Sequence, residues 1–67
     1  MIAVKVNGQP CEVGLGSSLE EVLQGLGYDP VIIAVAVNGM VVTKKNYAKH
    51  QINSNDMIEI VAPMVGG

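Results

Sequence analysis

The chain opens with two short runs in which apolar and polar residues alternate. Residues 2–6 place their branched aliphatic side chains on one face, as in a half-buried strand. Asn7-Gly8 follows, and this dipeptide favours a type I′ turn because both central residues need a positive φ. Residues 9–13 then form a returning strand in which Pro10 suits an edge position. The pattern predicts an N-terminal antiparallel hairpin.

The spacing of apolar residues changes to a helical one after residue 16. Four of them form one stripe: Leu19, Val22, Leu23 and Leu26. Two pairs have the spacing of a capping box, Ser17 with Glu20 and Ser18 with Glu21. Gly27 fits the left-handed residue that ends a helix. We therefore predict one helix, from about residue 18 to residue 26, packed against a sheet.

Residues 31–37 form a continuous apolar run, typical of a central strand. Its large residues alternate with mostly smaller ones, so we assign one face to the core and one to the outer surface. The core face has Ile33, Val35 and Val37, and the outer face has Ile32, Ala34 and Ala36. Asn38-Gly39 predicts a second turn, and residues 40–42 a short strand.

The last third of the chain has a polar connection, a turn and a final strand. Within residues 44–51, Tyr47 and Ala48 are expected to close the open end of the core. Residues 53–56 are turn formers, and residues 57–62 alternate as a strand that Pro63 ends. The element order is strand, strand, helix, strand, short strand, strand.

This order predicts an α+β protein with the β-grasp arrangement, a mixed sheet of about five strands curled around one helix. The first and last strands are expected to lie parallel at the centre. Residues 1–63 form the domain, and residues 64–67 a flexible C-terminal tail. The sheet face away from the helix is expected to be a shallow apolar surface that contacts partners. It comprises Ala3, Lys5, Ile32, Ala34, Ala36, Met57, Glu59 and Val61.

Composition narrows the classes of function. A 67-residue chain has little room for an enclosed pocket of several hundred Å³, which weighs against a self-contained enzyme. The formal net charge is −2 and all four basic residues are lysines, which weighs against nucleic-acid binding because no arginine can read a base edge. Only 15% of the residues are charged, so some apolar surface must be exposed.

The single cysteine and the single histidine point to no chemistry of their own. Cys11 excludes an internal disulfide, has no partner cysteine for a zinc site, and is interpreted as a packing residue. His50 lies in a polar connection and is interpreted as solvated. No signal peptide or membrane-spanning run is recognisable, so a soluble cytoplasmic protein is expected.

The sequence closes with Gly66 and Gly67, which have no side chains and can enter a narrow channel in any backbone conformation. A carboxylate on Gly67 could be delivered into another protein's active site and derivatised there. The preceding Met64 and Val65 are expected to touch that partner. Glycine pairs at chain ends are common, so this feature is a weak signal when taken alone.

Together these features resemble the ThiS family, the small ubiquitin-like sulfur carriers of thiamin biosynthesis. The resemblance covers nearly the whole chain. It rests on Asn7-Gly8 after the first strand, on residues 35–39 (Val-Ala-Val-Asn-Gly), on Tyr47, and on residues 58–61 (Ile-Glu-Ile-Val) leading to Gly66-Gly67.

The resemblance implies a protein substrate and not an enzyme, with no bound cofactor. A ThiF-like adenylyltransferase would consume ATP to adenylate the Gly67 carboxylate. A sulfur-donating enzyme would convert the adenylate to a thiocarboxylate, and a ThiG-like thiazole synthase would take the sulfur. Gly66 and Gly67 occupy the family's terminal positions.

Three other interpretations stay open at the level of sequence. The chain could carry sulfur for molybdopterin or another sulfur-containing metabolite. It could be a ubiquitin-like tag that is joined to lysines through Gly67. It could also be a β-grasp interaction domain whose glycine pair has no role.

Overall fold

Five strands form one mixed sheet, and a single α-helix among the described residues packs on one of its faces. The computed structural model describes residues 1–29 and 33–61. The strands lie in the order β2-β1-β5-β3-β4. Their bounds are β1 Ile2–Val6, β2 Gln9–Val13, β3 Ala34–Val37, β4 Met40–Val42 and β5 Met57–Val61, and the helix α1 is Leu19–Gly25. This is the ubiquitin-like β-grasp fold that the sequence predicts.

The first and last strands lie side by side and parallel at the centre of the sheet, as predicted. Lys5 pairs with Met57 and Val6 with Ile58. β2 and β3 flank this pair, each antiparallel to its neighbour. β1 and β5 are therefore neighbouring central strands, each paired on both sides.

Both predicted turns have the type I′ signature. Asn7 has a φ of 51° and Gly8 a φ of 81°, while Asn38 and Gly39 have values of 53° and 83°. Because this turn twists in the same sense as the flanking strands, each pair of strands closes over two residues. The hairpins β1–β2 and β3–β4 follow directly from the two Asn-Gly dipeptides.

The helix begins at the second of the two candidate capping boxes. The Ser18 N–H donates to Glu21 Oε1 over 2.9 Å, and the Glu21 N–H donates to Ser18 Oγ over 3.2 Å. Gly27 follows the helix with a φ of 86°, as predicted. Leu26, however, is 41% exposed, so its place in the buried stripe was wrong. It is the C-cap and lies past the last turn, and Tyr28 packs against the core instead.

The core lies between α1 and the inner face of the sheet. Ile33, Val35 and Val37 are buried, which confirms the predicted face assignment. Tyr47 is also buried and its hydroxyl donates to the Ile33 carbonyl over 3.4 Å. Ala48 is exposed, so its predicted role in closing the core was wrong. A 3₁₀ helix, Lys44–Asn46, turns Tyr47 inward and leaves the next residue in a turn that faces solvent.

Part of the sequence-based prediction lies outside the described residues. This applies to the start of the third strand, to Ile32, to the end of the last strand after Val61, and to the tail residues Met64, Val65, Gly66 and Gly67. No helix in the described part of the chain has both the length and the apolar composition needed to cross a bilayer.

Candidate functional site: the open face of the sheet

The face of the sheet away from α1 carries apolar residues that no described element covers. We call it the open face. Strand alternation places every second residue of β1, β2, β3, β4 and β5 on it, while their neighbours point into the core. Met57 is 54% exposed, Val61 65% and Val41 78%. The described members of this face are Ala3, Lys5, Pro10, Glu12, Ala34, Ala36, Val41, Met57, Glu59 and Val61.

Cross-strand register brings the predicted interface residues together. Ala34 pairs with Val61, and Ala36 lies between Glu59 of β5 and Val41 of β4. Because two alanines stand among larger neighbours, the surface forms a shallow depression of about 190 Å³. Such a depression can receive an apolar side chain of a partner, but it is too open to enclose a small substrate.

Val41 is an exposed branched residue of this face that sequence reasoning missed, and Pro10 and Glu12 of β2 were missed with it. The signal for Val41 was present, because a two-residue Asn38-Gly39 turn sets it directly opposite Ala36. Residues on directly opposed positions of paired strands point to the same side of the sheet. Val41 therefore extends the apolar surface to the edge strand.

Two charged residues of this face lie on the central strands β1 and β5. Lys5 is exposed on β1 beside Met57, and Glu59 is exposed on β5 beside Ala36. A surface on which exposed apolar residues are mixed with a few charged ones is typical of sites that bind other proteins. Exposed apolar surface on a chain this small favours the same interpretation.

β5, which carries Met57, Glu59 and Val61, is fixed by side chains from both type I′ turns. The Ile60 N–H donates to Asn7 Oδ1 over 2.8 Å, and the Met57 N–H donates to Asn38 Oδ1 over 2.9 Å. Asn7 also donates its own N–H to the Ile58 carbonyl over 2.8 Å. The strand that leads toward residues 62–67 is therefore held firmly against its two neighbours.

The described residues offer no alternative site with evident chemistry. No group of three or more His, Cys, Asp or Glu side chains within them could hold a metal ion. Cys11 is half-buried and packs against the core opposite Val4, which confirms its interpretation as a packing residue. His50 is half-buried and lines an open surface groove, so its interpretation as a solvated residue stays a prediction. Its carbonyl accepts the Leu19 N–H over 2.7 Å, which holds it near the start of α1.

Burial raises the pKa of the Tyr47 phenol above its ordinary value. The phenol is thus neutral near neutral pH and serves as a core residue with one hydrogen bond. It has no role on the open face.

Comparison with known proteins gives the family. The sequence model of the ThiS family matches residues 4–67. This chain belongs to the ThiS family. The crystal structure of a thiamine biosynthesis protein (ThiS) from Geobacter metallireducens has a TM-score of 0.84 at 25% identity, covering 98% of this chain and all (100%) of that one.

Two thiazole synthases are also similar to this ThiS-family chain. The protein from Magnetococcus marinus is 36% identical over 64 residues, which cover 96% of this chain and 20% of that protein. The protein from Paramagnetospirillum magneticum is 36% identical over 62 residues, which cover 92% and 19%. This chain thus spans about a fifth of the length of these relatives.

Proposed function

We propose that this chain carries sulfur for thiamin biosynthesis, with the Gly67 carboxylate as the group that is activated and loaded. The observation that carries the proposal is the ThiS-family match, which extends through Gly66 and Gly67. The thiamine-biosynthesis name of the Geobacter protein and the thiazole synthase names of the two relatives support the choice of pathway.

The chemistry needs a reachable carboxylate and an outside catalyst. A carboxylate is a poor electrophile. Its oxygen attacks the α-phosphorus of ATP, pyrophosphate leaves, and an acyl adenylate results. A sulfur nucleophile then attacks the acyl carbon and AMP leaves, which gives a thiocarboxylate. In this proposal the adenylating partner binds the ATP, and the carrier is a protein substrate with no catalytic residue of its own.

The open face gives such a partner a place to bind. Gly67 follows Val61 by six positions, so its carboxylate can lie at most roughly 20 Å from that residue. A partner that covers Val61, Ala34 and Ala36 would therefore need its catalytic centre within that distance. A second centre, for sulfur transfer to the thiazole, must satisfy the same limit.

The folded surface has to supply most of the affinity for these partners. Ordering each tail residue costs about 1–2 kcal/mol of backbone entropy. Burying Met64 and Val65 in a channel would return about 1.5–3 kcal/mol each. These terms nearly cancel over the tail. The apolar residues of the open face are then the main source of binding free energy.

We expect three classes of partner. They are a ThiF-like adenylyltransferase, a sulfur-donating enzyme, and a ThiG-like thiazole synthase. The two relatives named thiazole synthase support the last of these. They would meet the same Gly67 terminus in turn, as a carboxylate, an acyl adenylate and a thiocarboxylate, so we expect them to compete for the open face.

Intact-mass spectrometry tests the proposal directly. The protein is incubated with ATP, a ThiF-like enzyme and a sulfide source, and the expected gain equals one oxygen replaced by sulfur at Gly67. A chain lacking Gly67 is the matched control and should gain nothing while its unfolding curve stays unchanged. Conjugates on lysines would instead identify a protein tag, and an equal gain in both chains would refute Gly67 as the carrier group.

The pathway needs a second measurement. The loaded protein should transfer its sulfur to a thiazole synthase reaction, observed as thiazole formation that depends on the carrier. Transfer to a molybdopterin-forming reaction, with none to thiazole, would reassign the carrier to that pathway.

A further inference from the structure

The two edges of the sheet differ in how well they are protected against an added strand. The edge strand β2 includes Pro10, which has no N–H to donate, and the charged residue Glu12. The other edge strand, β4, is wholly apolar, and Met40 is 74% exposed. Natural proteins usually protect an exposed edge with proline, charge or a covering element. Within residues 1–29 and 33–61, no strand pairs with the outer side of β4.

The backbone of Val41 is directed away from the sheet. Val37 and Met40 flank the two-residue turn and form the first pair of the β3–β4 ladder. Hydrogen-bonded and non-hydrogen-bonded pairs alternate along an antiparallel ladder, so Val41 and Ala36 form a non-hydrogen-bonded pair. The Val41 N–H and C=O thus point away from β3, to the outer side of β4. A further strand on that side could form a hydrogen bond with each of these two groups.

A groove runs beside this edge. It has a volume of about 600 Å³ and is bounded on one side by β4. Its opposite side is polar and comes from the connection that follows β4, with Asn46, Lys49, His50, Gln51 and Asn53. Alternate side chains of an added strand could lie in this groove, while the others would lie beside Val41 on the open face.

Lysines follow this edge in a chain whose net charge is −2: Lys44 and Lys45 belong to the 3₁₀ helix after β4, and Lys49 lines the groove. Between Asp29 and Asp56 the sequence has three lysines and no acidic residue. Glu59 lies two strands away from Val41 in the sheet, and the buried Asp56 carboxylate is hydrogen-bonded by Asn38 and Asn53. A second copy of this chain paired along β4 would bring two lysine-rich segments together, which charge repulsion opposes.

We propose that the β4 edge binds an extended, acidic segment of a partner protein, which adds to the sheet as a further strand. The Val41 backbone supplies the main-chain hydrogen bonds, and Lys45 and Lys49 favour acidic side chains over basic ones. Strand addition to an exposed sheet edge is a recurring mode of peptide recognition. This edge is distinct from the centre of the open face, so the proposal does not depend on sulfur transfer.

The probe is a short blocked peptide of alternating valine and glutamate, and its matched control has lysine in place of each glutamate. Both are titrated into the ¹⁵N-labelled full chain. The glutamate peptide should shift the amide signals of residues 40–42, 45 and 49 and slow hydrogen exchange at Val41. The lysine peptide should bind at least roughly tenfold more weakly. Equal binding of the two peptides, or shifts confined to Ala34, Met57 and Val61, would overturn the proposal.

Variants separate the backbone contribution from the charge contribution. Val41→Pro removes the outward N–H without removing a bond to β3, and should weaken binding roughly tenfold. Val41→Thr keeps that N–H and should bind nearly as the wild type does. Lys45→Glu with Lys49→Glu alters only exposed side chains and should weaken binding roughly five- to tenfold, even if the proline variant fails to fold.

Sedimentation of the protein without peptide tests whether a second copy of the chain occupies the β4 edge. A single monomeric species across the concentration range supports the proposal. Concentration-dependent dimers that disappear in Val41→Pro would show that a second copy occupies the edge, and would overturn it.

Discussion

Asn38 Nδ2 donates a 2.9 Å hydrogen bond to Asp56 Oδ1, which ties the second type I′ turn to the residue that precedes β5. The other carboxylate oxygen of Asp56 accepts the Asn53 N–H over 2.8 Å. Asp56 is buried, and both of its carboxylate oxygens accept a hydrogen bond, as a buried carboxylate requires. Asn38 Oδ1 in turn accepts the Met57 N–H. One asparagine side chain thus positions the strand that carries much of the open face.

This arrangement predicts losses of stability of different size for two similar substitutions. Asn38→Asp replaces the donor with a second carboxylate next to Asp56 and should lower the free energy of unfolding by about 2–4 kcal/mol. Asn7→Asp keeps an oxygen that can accept the Ile60 N–H, and should cost less than about 1 kcal/mol. Aspartate tolerates the left-handed backbone at both positions. Urea denaturation at neutral pH measures both, and equal losses would contradict the role assigned to Asn38 Nδ2.

Local patterns in the sequence were sufficient for most of the fold. Alternation identified the buried faces of Val4, Val35 and Ile58, and the two Asn-Gly dipeptides fixed the hairpins. Residues that lie just past a regular element were assigned less well. Leu26 lies one residue past the end of α1 and Ala48 lies two residues past the end of the 3₁₀ helix, where the periodicity that predicts burial no longer applies.

The polar contacts of the fold could not be predicted in the same way. Asn38 and Asp56 are 18 positions apart, and only the completed sheet brings them within hydrogen-bonding distance. The open face was predicted from alternation in β1, β3 and β5. Val41 was missed because alternation in a strand of three residues is too short to assign a face, and the register that the Asn38-Gly39 turn sets was not used.

The sequence allows either Ser17 or Ser18 to cap the start of α1, and in the structure Ser18 is the N-cap. Ser18 Oγ accepts the Glu21 N–H, so Ser18→Ala should lower the free energy of unfolding by about 1 kcal/mol. The matched control is Ser17→Ala. Ser17 takes part through its backbone, accepting the Ile52 N–H, and the substitution keeps that carbonyl. Thermal and urea unfolding should show a clear loss for Ser18→Ala and a small one for Ser17→Ala. The reverse order would place the cap at Ser17.

The raised pKa of Tyr47 predicts a loss of stability in alkali. The unfolded chain releases the phenol proton near the ordinary pKa, while the folded chain retains it to higher pH. The unfolded state then binds fewer protons, so the free energy of unfolding falls as the pH rises above about 10. Tyr47→Phe removes this proton and should show a shallower fall, at a cost of about 1 kcal/mol or less at neutral pH. Urea denaturation at neutral and alkaline pH measures the fall in the free energy of unfolding for Tyr47→Phe and for the wild type. Equal falls would contradict the predicted effect of the Tyr47 phenol.

The open face can be tested without disturbing the core. Ala34 is exposed and paired with Val61, so Ala34→Glu places a charge in the apolar depression and should weaken binding of a ThiF-like partner roughly tenfold or more. The free energy of unfolding should change by less than about 1 kcal/mol. Gln24→Glu adds the same charge to the exposed side of α1 and should leave binding unchanged. Equal loss of affinity in both variants would indicate a general charge effect and not a specific surface.

Gly66 tests whether the last two residues pass through a narrow channel. Gly66→Val adds a β-branched side chain next to the proposed reacting carboxylate, and should lower the rate of adenylation about 100-fold, since small displacements of a reacting group have effects of this size. Gly66→Ala adds one methyl group and should have an intermediate effect. Both variants should unfold as the wild type does. Pyrophosphate release with a ThiF-like enzyme gives the rates, and wild-type rates for Gly66→Val would mean that the partner has no narrow channel at this position.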